Sequence, residues 1–176
     1  VSDGPALTVS RGGRSSEIAA GAIILATGAM ERALPFLGWT MPGVMTAGAA
    51  QILLKSSGTV AEKAVFAGSG PLFYLAAAQY IAAGMRPLAI LDTTPMGNYL
   101  QAARLLPGAM RNANLLRKGL SLIRQIRNSG VPFLRGVDKY EAHGSGRLQT
   151  IRYRRHGHWH DIPADYLFVH QGIVPN

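Results

Sequence analysis

The stretch VFAGSGPLFYLAAA, residues 65–78, constrains this chain more than any other. An apolar strand runs into Gly68-Ser69-Gly70 and from there directly into a helix of small residues. Gly68 permits the tight turn. Gly70, lacking a side chain, lets an anion approach the backbone, and the N–H groups and dipole of the first helical turn favour a phosphate there. Pro71 sits at the first helical position, where its missing N–H costs nothing, and Leu72 follows in the same turn. Asp92 ends the next strand at about the ~20-residue spacing of a carboxylate that accepts from the ribose 2′-OH of a dinucleotide. The third small position of that fingerprint is Phe73, where a small residue ordinarily lets helix and strand pack closely. A strand-to-helix turn without a ligand is therefore the alternative, and for Asp92 a solvated acid or a helix cap. A ribose-binding Asp92 favours NAD over NADP, because a 2′-phosphate would repel it; Arg86 and Arg104 complicate that choice.

The pattern around this stretch is that of an α/β protein. ALTVSRGG and the residues after it read as two strands about the Gly12-Gly13 turn, and residues 22–26 as a short apolar strand buried on both faces. Pro35, Gly38, Pro42 and Gly43 mark a connection. A helix is expected over 47–57, capped by Thr46 and ended at Gly58, with Ile52 and Leu53 on its apolar side. Strands over 64–67 and 87–91 flank a helix over 71–83. Then come a helix over 97–106 stopped by Pro107, a helix over 114–128 with a leucine and isoleucine face, and a strand over 131–134. Strands over 139–142, 148–153 and 159–162 form a meander, and 166–170 is the last strand. The fold class expected is a Rossmann-like parallel sheet with helices and a three-stranded antiparallel β-meander.

Composition narrows the function classes. The chain has 176 residues, 48% of them hydrophobic, enough for a buried core. No apolar run reaches the ~20 residues of a membrane span, and no signal peptide is evident, so neither an integral membrane segment nor secretion is expected. With no cysteine, a disulfide framework, a thiolate metal site and a Cys-x-x-Cys redox pair are excluded within these residues, and a cytoplasmic location is compatible. The net charge of +9 is scattered over Arg104–Arg127 and Arg152–Arg155. It reads as a solvated face, since no nucleic-acid-binding pattern accompanies it.

Other chemistry is thin. HGHWH places His158 and His160 on one face of a strand, but His156-Gly157 is the turn and no carboxylate or cysteine completes a metal set. AGSGP is not a nucleophile elbow, and no residue stands out as a general acid or base.

AIILATGAMERALPFLGWTMPGVMTAGAAQILLKSSG, VFAGSGPLFYLAAAQYIAAG and LFVHQGIVPN together resemble the pyridine nucleotide-disulfide oxidoreductase superfamily of flavoproteins with two dinucleotide folds. The likeness is closest to the A (alpha) subunits of opine oxidases, amino-acid dehydrogenase alpha subunits and hydrogen cyanide synthase B subunits, and it covers nearly the whole chain. The GWTMPGVMTAGAAQ connection is its most specific marker.

The resemblance implies a domain plan and cofactors. Residues 1–28 would be the fringe of an FAD-binding domain, 29–58 a connection and helix, and 59–176 an inserted NAD(P)-type dinucleotide-binding domain. Thr27 and Gly28 would end a strand of the FAD domain; Gly68, Ser69 and Gly70 would form the inserted domain's loop; Gly172, Pro175 and Asn176 would close it. The chain would be an internal piece of a longer flavoprotein, inactive alone, with FAD in the full-length protein and NAD(P) or another adenine nucleotide here. A small amine or amino acid would be oxidised in a partner flavoprotein subunit. An NADH-dependent flavoprotein reductase and a subunit-assembly domain with an empty nucleotide loop are the alternatives.

Overall fold

In the strand AVFAG, Ala64 and Phe66 face one side, Val65 and Ala67 the other, and all are buried. A strand without a polar face must be covered on both sides, as in the centre of a parallel sheet. A computed structural model describing residues 4–176 shows that arrangement. The chain divides into two compact units, residues 31–174 and residues 1–30 with 175–176. It passes between them in the short strands β3 (Ala29–Glu31) and β12 (Ile173–Pro175).

In the first unit, β1 (Ala6–Arg11) and β2 (Arg14–Ala19) form an antiparallel hairpin with Arg11 opposite Arg14. Gly12 and Gly13 take positive φ values of 59° and 74°, as a two-residue hairpin turn requires. Residues 22–26 correct the sequence expectation: they form no strand, and Ile24 and Leu25 are exposed. A strand buried on both faces needs neighbours on both sides, and among the described residues none pairs with it.

The second unit is built on β4 (Val44–Thr46), β5 (Ala64–Gly68), β6 (Ala89–Asp92), β7 (Phe133–Arg135) and β11 (Tyr166–His170). These pair in parallel in the order β4-β11-β5-β6-β7. On one face lie α1 (Ala47–Ser57), α2 (Pro71–Ala82) and α4 (Ala113–Asn128), around Phe66, Ile90, Phe168 and Tyr80. The rings of Phe66, Tyr80 and Phe168 meet edge-on with centroids 5.0–5.3 Å apart. The other face is covered by a meander of β8 (Val137–His143), β9 (Thr150–Arg155) and β10 (His158–Pro163), which buries Val137, Tyr140, Ala142, Leu148 and Ile151 against it.

Local signals account for the helix ends. Thr46 accepts from the Ala49 N–H at 3.2 Å, and Gly58, in the left-handed region, donates to the Leu54 carbonyl. The face α1 buries is Ala47 and Ala50; Ile52 and Leu53 are exposed, contrary to the sequence expectation. This helix and β4 pack within the second unit. α3 (Met96–Ala109) also differs, running two residues past Pro107 before a 3-10 turn at Met110–Asn112. Proline this close to a helix end disturbs only the last turn. Among the described residues no helix is long and apolar enough to cross a membrane.

Candidate nucleotide site

The carboxyl ends of β5, β6, β7 and β11 bring Gly68-Ser69-Gly70, Asp92, Arg135 and His170-Gln171 to one edge of the sheet. Between β5 and β11 the chain order reverses, the topological switch point where open α/β sheets bind ligands.

The two loop glycines do different work. A Cβ on Gly68 would sit on the carbonyl oxygen of His170 in the neighbouring strand. The Ser69 N–H donates to that same oxygen at 3.0 Å, and the Thr93 N–H donates to the Gly68 carbonyl at 2.9 Å. Gly68 is thus fixed by the sheet's own close packing. Gly70 is the N-cap of α2 with φ 92°, no side chain caps the helix there, and a Cβ would meet nothing within 4 Å. Pro71 follows at the first helical position, and Leu72 is 44% exposed. The leading N–H groups of a helix lack partners of their own, so this end is an open cradle for a phosphate. Phe73 points away from it, fully buried in the helical layer, while Ala76, Ala77 and Ala78 provide the small residues of the helix-to-sheet contact.

Asp92 is fully buried and heavily engaged. Oδ2 accepts from the hydroxyls of Tyr99 at 2.6 Å and Tyr74 at 3.0 Å, and Oδ1 accepts from the Thr94 N–H at 2.9 Å. Arg135, its register partner on β7, brings Nε to 4.0 Å and lies over the rings of Tyr99 and Phe133. Sequence reasoning missed Tyr74, Tyr99 and Arg135; the strand register that sets Arg135 beside Asp92 was the usable signal. The phosphate arm of a dinucleotide therefore fits this edge, whereas its ribose would have to replace a tyrosine on Asp92.

Burial, and then the nearby Asp92 charge, raises the Tyr74 hydroxyl far above the usual tyrosine value. Burial also raises Tyr99, with the Asp92 hydrogen bond adding to it, and raises Tyr80 and Tyr140. An unfolded tyrosine ionises near pH ~10. Below that pH both states hold the proton and the contribution to stability is complete. Above it the unfolded chain loses protons first, so stability falls as pH rises. Tyrosinate absorbance and circular dichroism followed together should show these four ionising only as the fold is lost. Ionisation of all six tyrosines with unchanged circular dichroism would contradict this.

A second buried polar group lies behind the loop. His170 Nδ1 and Glu31 Oε1 are 2.5 Å apart, and Glu31 Oε2 accepts from the Gly48 N–H at 2.8 Å, tying β11 to the start of α1. Neither residue was singled out from the sequence. In the first unit, Thr27 Oγ1 donates to the Asn176 carbonyl at 2.8 Å, the Asn176 amide donates to the Thr27 carbonyl at 3.0 Å, and the Asn176 N–H donates to the Gly28 carbonyl at 3.2 Å. Gly172, with φ 94°, accepts from the Arg32 N–H at 2.9 Å. In the meander, His160 stacks on Tyr153 and Asp161 pairs with Arg152.

No protein-family profile matches the chain. The A (alpha) subunit of opine oxidase from Rhizobium meliloti is 40% identical over 169 residues, 96% of this chain and 32% of the relative. The HcnB subunit of hydrogen cyanide synthase from Pseudomonas aeruginosa is 36% identical over 140 residues, 78% of this chain and 29% of the relative. Among solved structures, an NAD-dependent persulfide reductase from A. fulgidus matches with TM-score 0.58 at 20% identity, covering 97% of this chain and 29% of that one. Thioredoxin reductase from T. acidophilum matches with TM-score 0.59 at 14% identity, covering 93% and 48%. Together with the strand order and the Gly68-Ser69-Gly70 turn, these define a Rossmann-type fold of the pyridine nucleotide-disulfide oxidoreductase class. Within that class the chain belongs with the homologues of the opine oxidase alpha subunit and HcnB. It spans about a third of the length of the curated relatives it matches.

Proposed function

We propose that this chain is the nucleotide-binding portion of an FAD-dependent oxidoreductase subunit, working in the cytoplasm within a multi-subunit opine-type dehydrogenase or oxidase of amines or amino acids. The observation that carries the reading is the open phosphate cradle at Gly70, Pro71 and Leu72, on a chain 40% identical to the opine oxidase alpha subunit. FAD, when bound to the full-length protein, would supply a two-electron acceptor. The substrate site belongs to a partner flavoprotein subunit. This chain's own residues hold an adenine nucleotide by its phosphates, with the N–H groups at the start of α2 facing the anion. Because Asp92 is taken up by Tyr74 and Tyr99, the bound nucleotide anchors and does not deliver hydride.

The test uses the full-length protein. Calorimetric titration with NADH, NADPH, ATP and AMP should show binding that follows the phosphates, weakens with salt and is lost in Gly70→Val, while NADH fails to bleach the flavin. Bleaching at a catalytic rate would establish the NADH-dependent reductase instead. No binding of any nucleotide at millimolar concentration would leave the assembly domain.

A further inference from the structure

The positive charge of this protein is concentrated. Between Asp92 and Asp138 the sequence contains no Asp or Glu. α3 and α4 fill most of that interval and expose Arg104, Arg117, Lys118, Arg124 and Arg127. Within α4 only Ile126, near its end, is fully buried. Leu115 and Leu120, in its first half, are 70% and 65% exposed. With Leu116, Gly119 and Ile123 they line an open groove of about 470 Å³. Single exposed leucines are ordinary, but a contiguous apolar groove rimmed by one sign of charge marks an interaction site.

Gly119 gives the groove its shape. It lies in the middle of α4, where glycine costs about 1 kcal/mol relative to alanine. A Cβ there would meet nothing within 4 Å, so the chain's own packing does not require glycine. Its bare backbone leaves a notch in the row from Leu116 to Ile123, the kind of hole that receives a side-chain knob from another helix.

We propose that this groove docks a helix of a partner subunit, one with an apolar ridge flanked by Asp and Glu side chains. The proposal rests on the multi-subunit reading above. Charge decides against a second copy of this chain, since two acid-free basic faces would repel. Nucleic acid would engage the cations and leave the leucines exposed. An anionic membrane suits a basic amphipathic helix, but a fluid lipid surface has no use for a notch at one residue.

The full-length protein, purified with its native partner subunits, is treated with a carbodiimide that couples amines directly to carboxylates. Lys118, the one lysine between Asp92 and Asp138, should be joined to an Asp or Glu of another subunit. Leu115→Glu with Leu120→Glu should weaken the partner's affinity about tenfold or more, with the protein's own Tm unchanged because both side chains are exposed. Gly119→Leu, which fills the notch without altering charge, should also release the partner and leave Tm unchanged or higher. Retention of the partner in these variants, or Lys118 joined only within its chain or to a second copy, overturns the docking site and leaves the multi-subunit reading standing. Tighter binding of Gly119→Leu to vesicles of anionic phospholipid than to the partner would assign the groove to a membrane, and binding to DNA or RNA that survives Leu115→Glu with Leu120→Glu would assign the basic face to nucleic acid. A full-length protein isolated with no partner at all removes both the docking site and the multi-subunit reading.

Discussion

Asp92→Ala is expected to destabilise the protein by about 3 kcal/mol or more, seen as a fall in the denaturation midpoint. The carboxylate is fully buried and receives two tyrosine hydroxyls and a backbone N–H. Each buried donor left without a partner costs about 1–3 kcal/mol. Tyr99→Phe, which removes one donor and leaves Asp92 its other partners, should cost about 1 kcal/mol. A carboxylate that served only a ribose would behave in the opposite way, losing nucleotide affinity and keeping its midpoint. An Asp92→Ala protein as stable as the parent would therefore remove the tyrosine clamp from the account and restore the dinucleotide role. A double-mutant cycle between Tyr74 and Tyr99 would measure how far the two hydroxyls act as a unit.

The clamp shows what spacing can and cannot reveal. The distance from Gly68 to Asp92 locates an acid at the end of β6, because a strand–helix–strand unit has a nearly fixed length. It is silent about what arrives from elsewhere. Tyr99 comes from α3 and Arg135 from β7, and only the sheet register sets that arginine beside the acid. The short-range signals did better. Thr46 and Gly58 bound α1 because a cap is a contact within one turn of chain. The meander was legible because its strands follow one another with short turns. β4 was not, because its neighbour in the sheet is β11, far along the chain, and VMT between a glycine and a helix has no period to read.

Amphipathic helices pose a related difficulty. The leucines of α4 fall on one face by sequence, which ordinarily identifies the side turned to the core. Here the helix is anchored at its end by Ile126, and the leucines of its first half remain in the open. Periodicity identifies an apolar face without saying whether this chain or another covers it. α1 inverts the same lesson: alanines make the buried contact and Ile52 and Leu53 are exposed, since close approach to α2 favours small side chains over apolar ones.

The two glycines of the loop should separate by experiment into one that serves the sheet and one that serves a ligand. Gly68→Ala is expected to cost about 3 kcal/mol or more, or to prevent soluble expression, because the added methyl collides with the backbone of His170 and not with a side chain that can turn away. The strands involved, β5 and β11, are interior to the sheet and buried on both faces, so neither can shift without disturbing the layer beyond it. Gly70→Ala meets no neighbour; with φ 92° it should cost about 1–2 kcal/mol of backbone strain and leave a folded protein. That protein should bind adenine nucleotide more weakly, since the methyl group stands where a phosphate would meet the N–H groups at the start of α2. Thermal unfolding and calorimetry on the two variants give the decision. Equal stabilities would mean that β5 and β11 are less closely packed than they are here, and unchanged nucleotide affinity in Gly70→Ala would place the phosphate away from this helix.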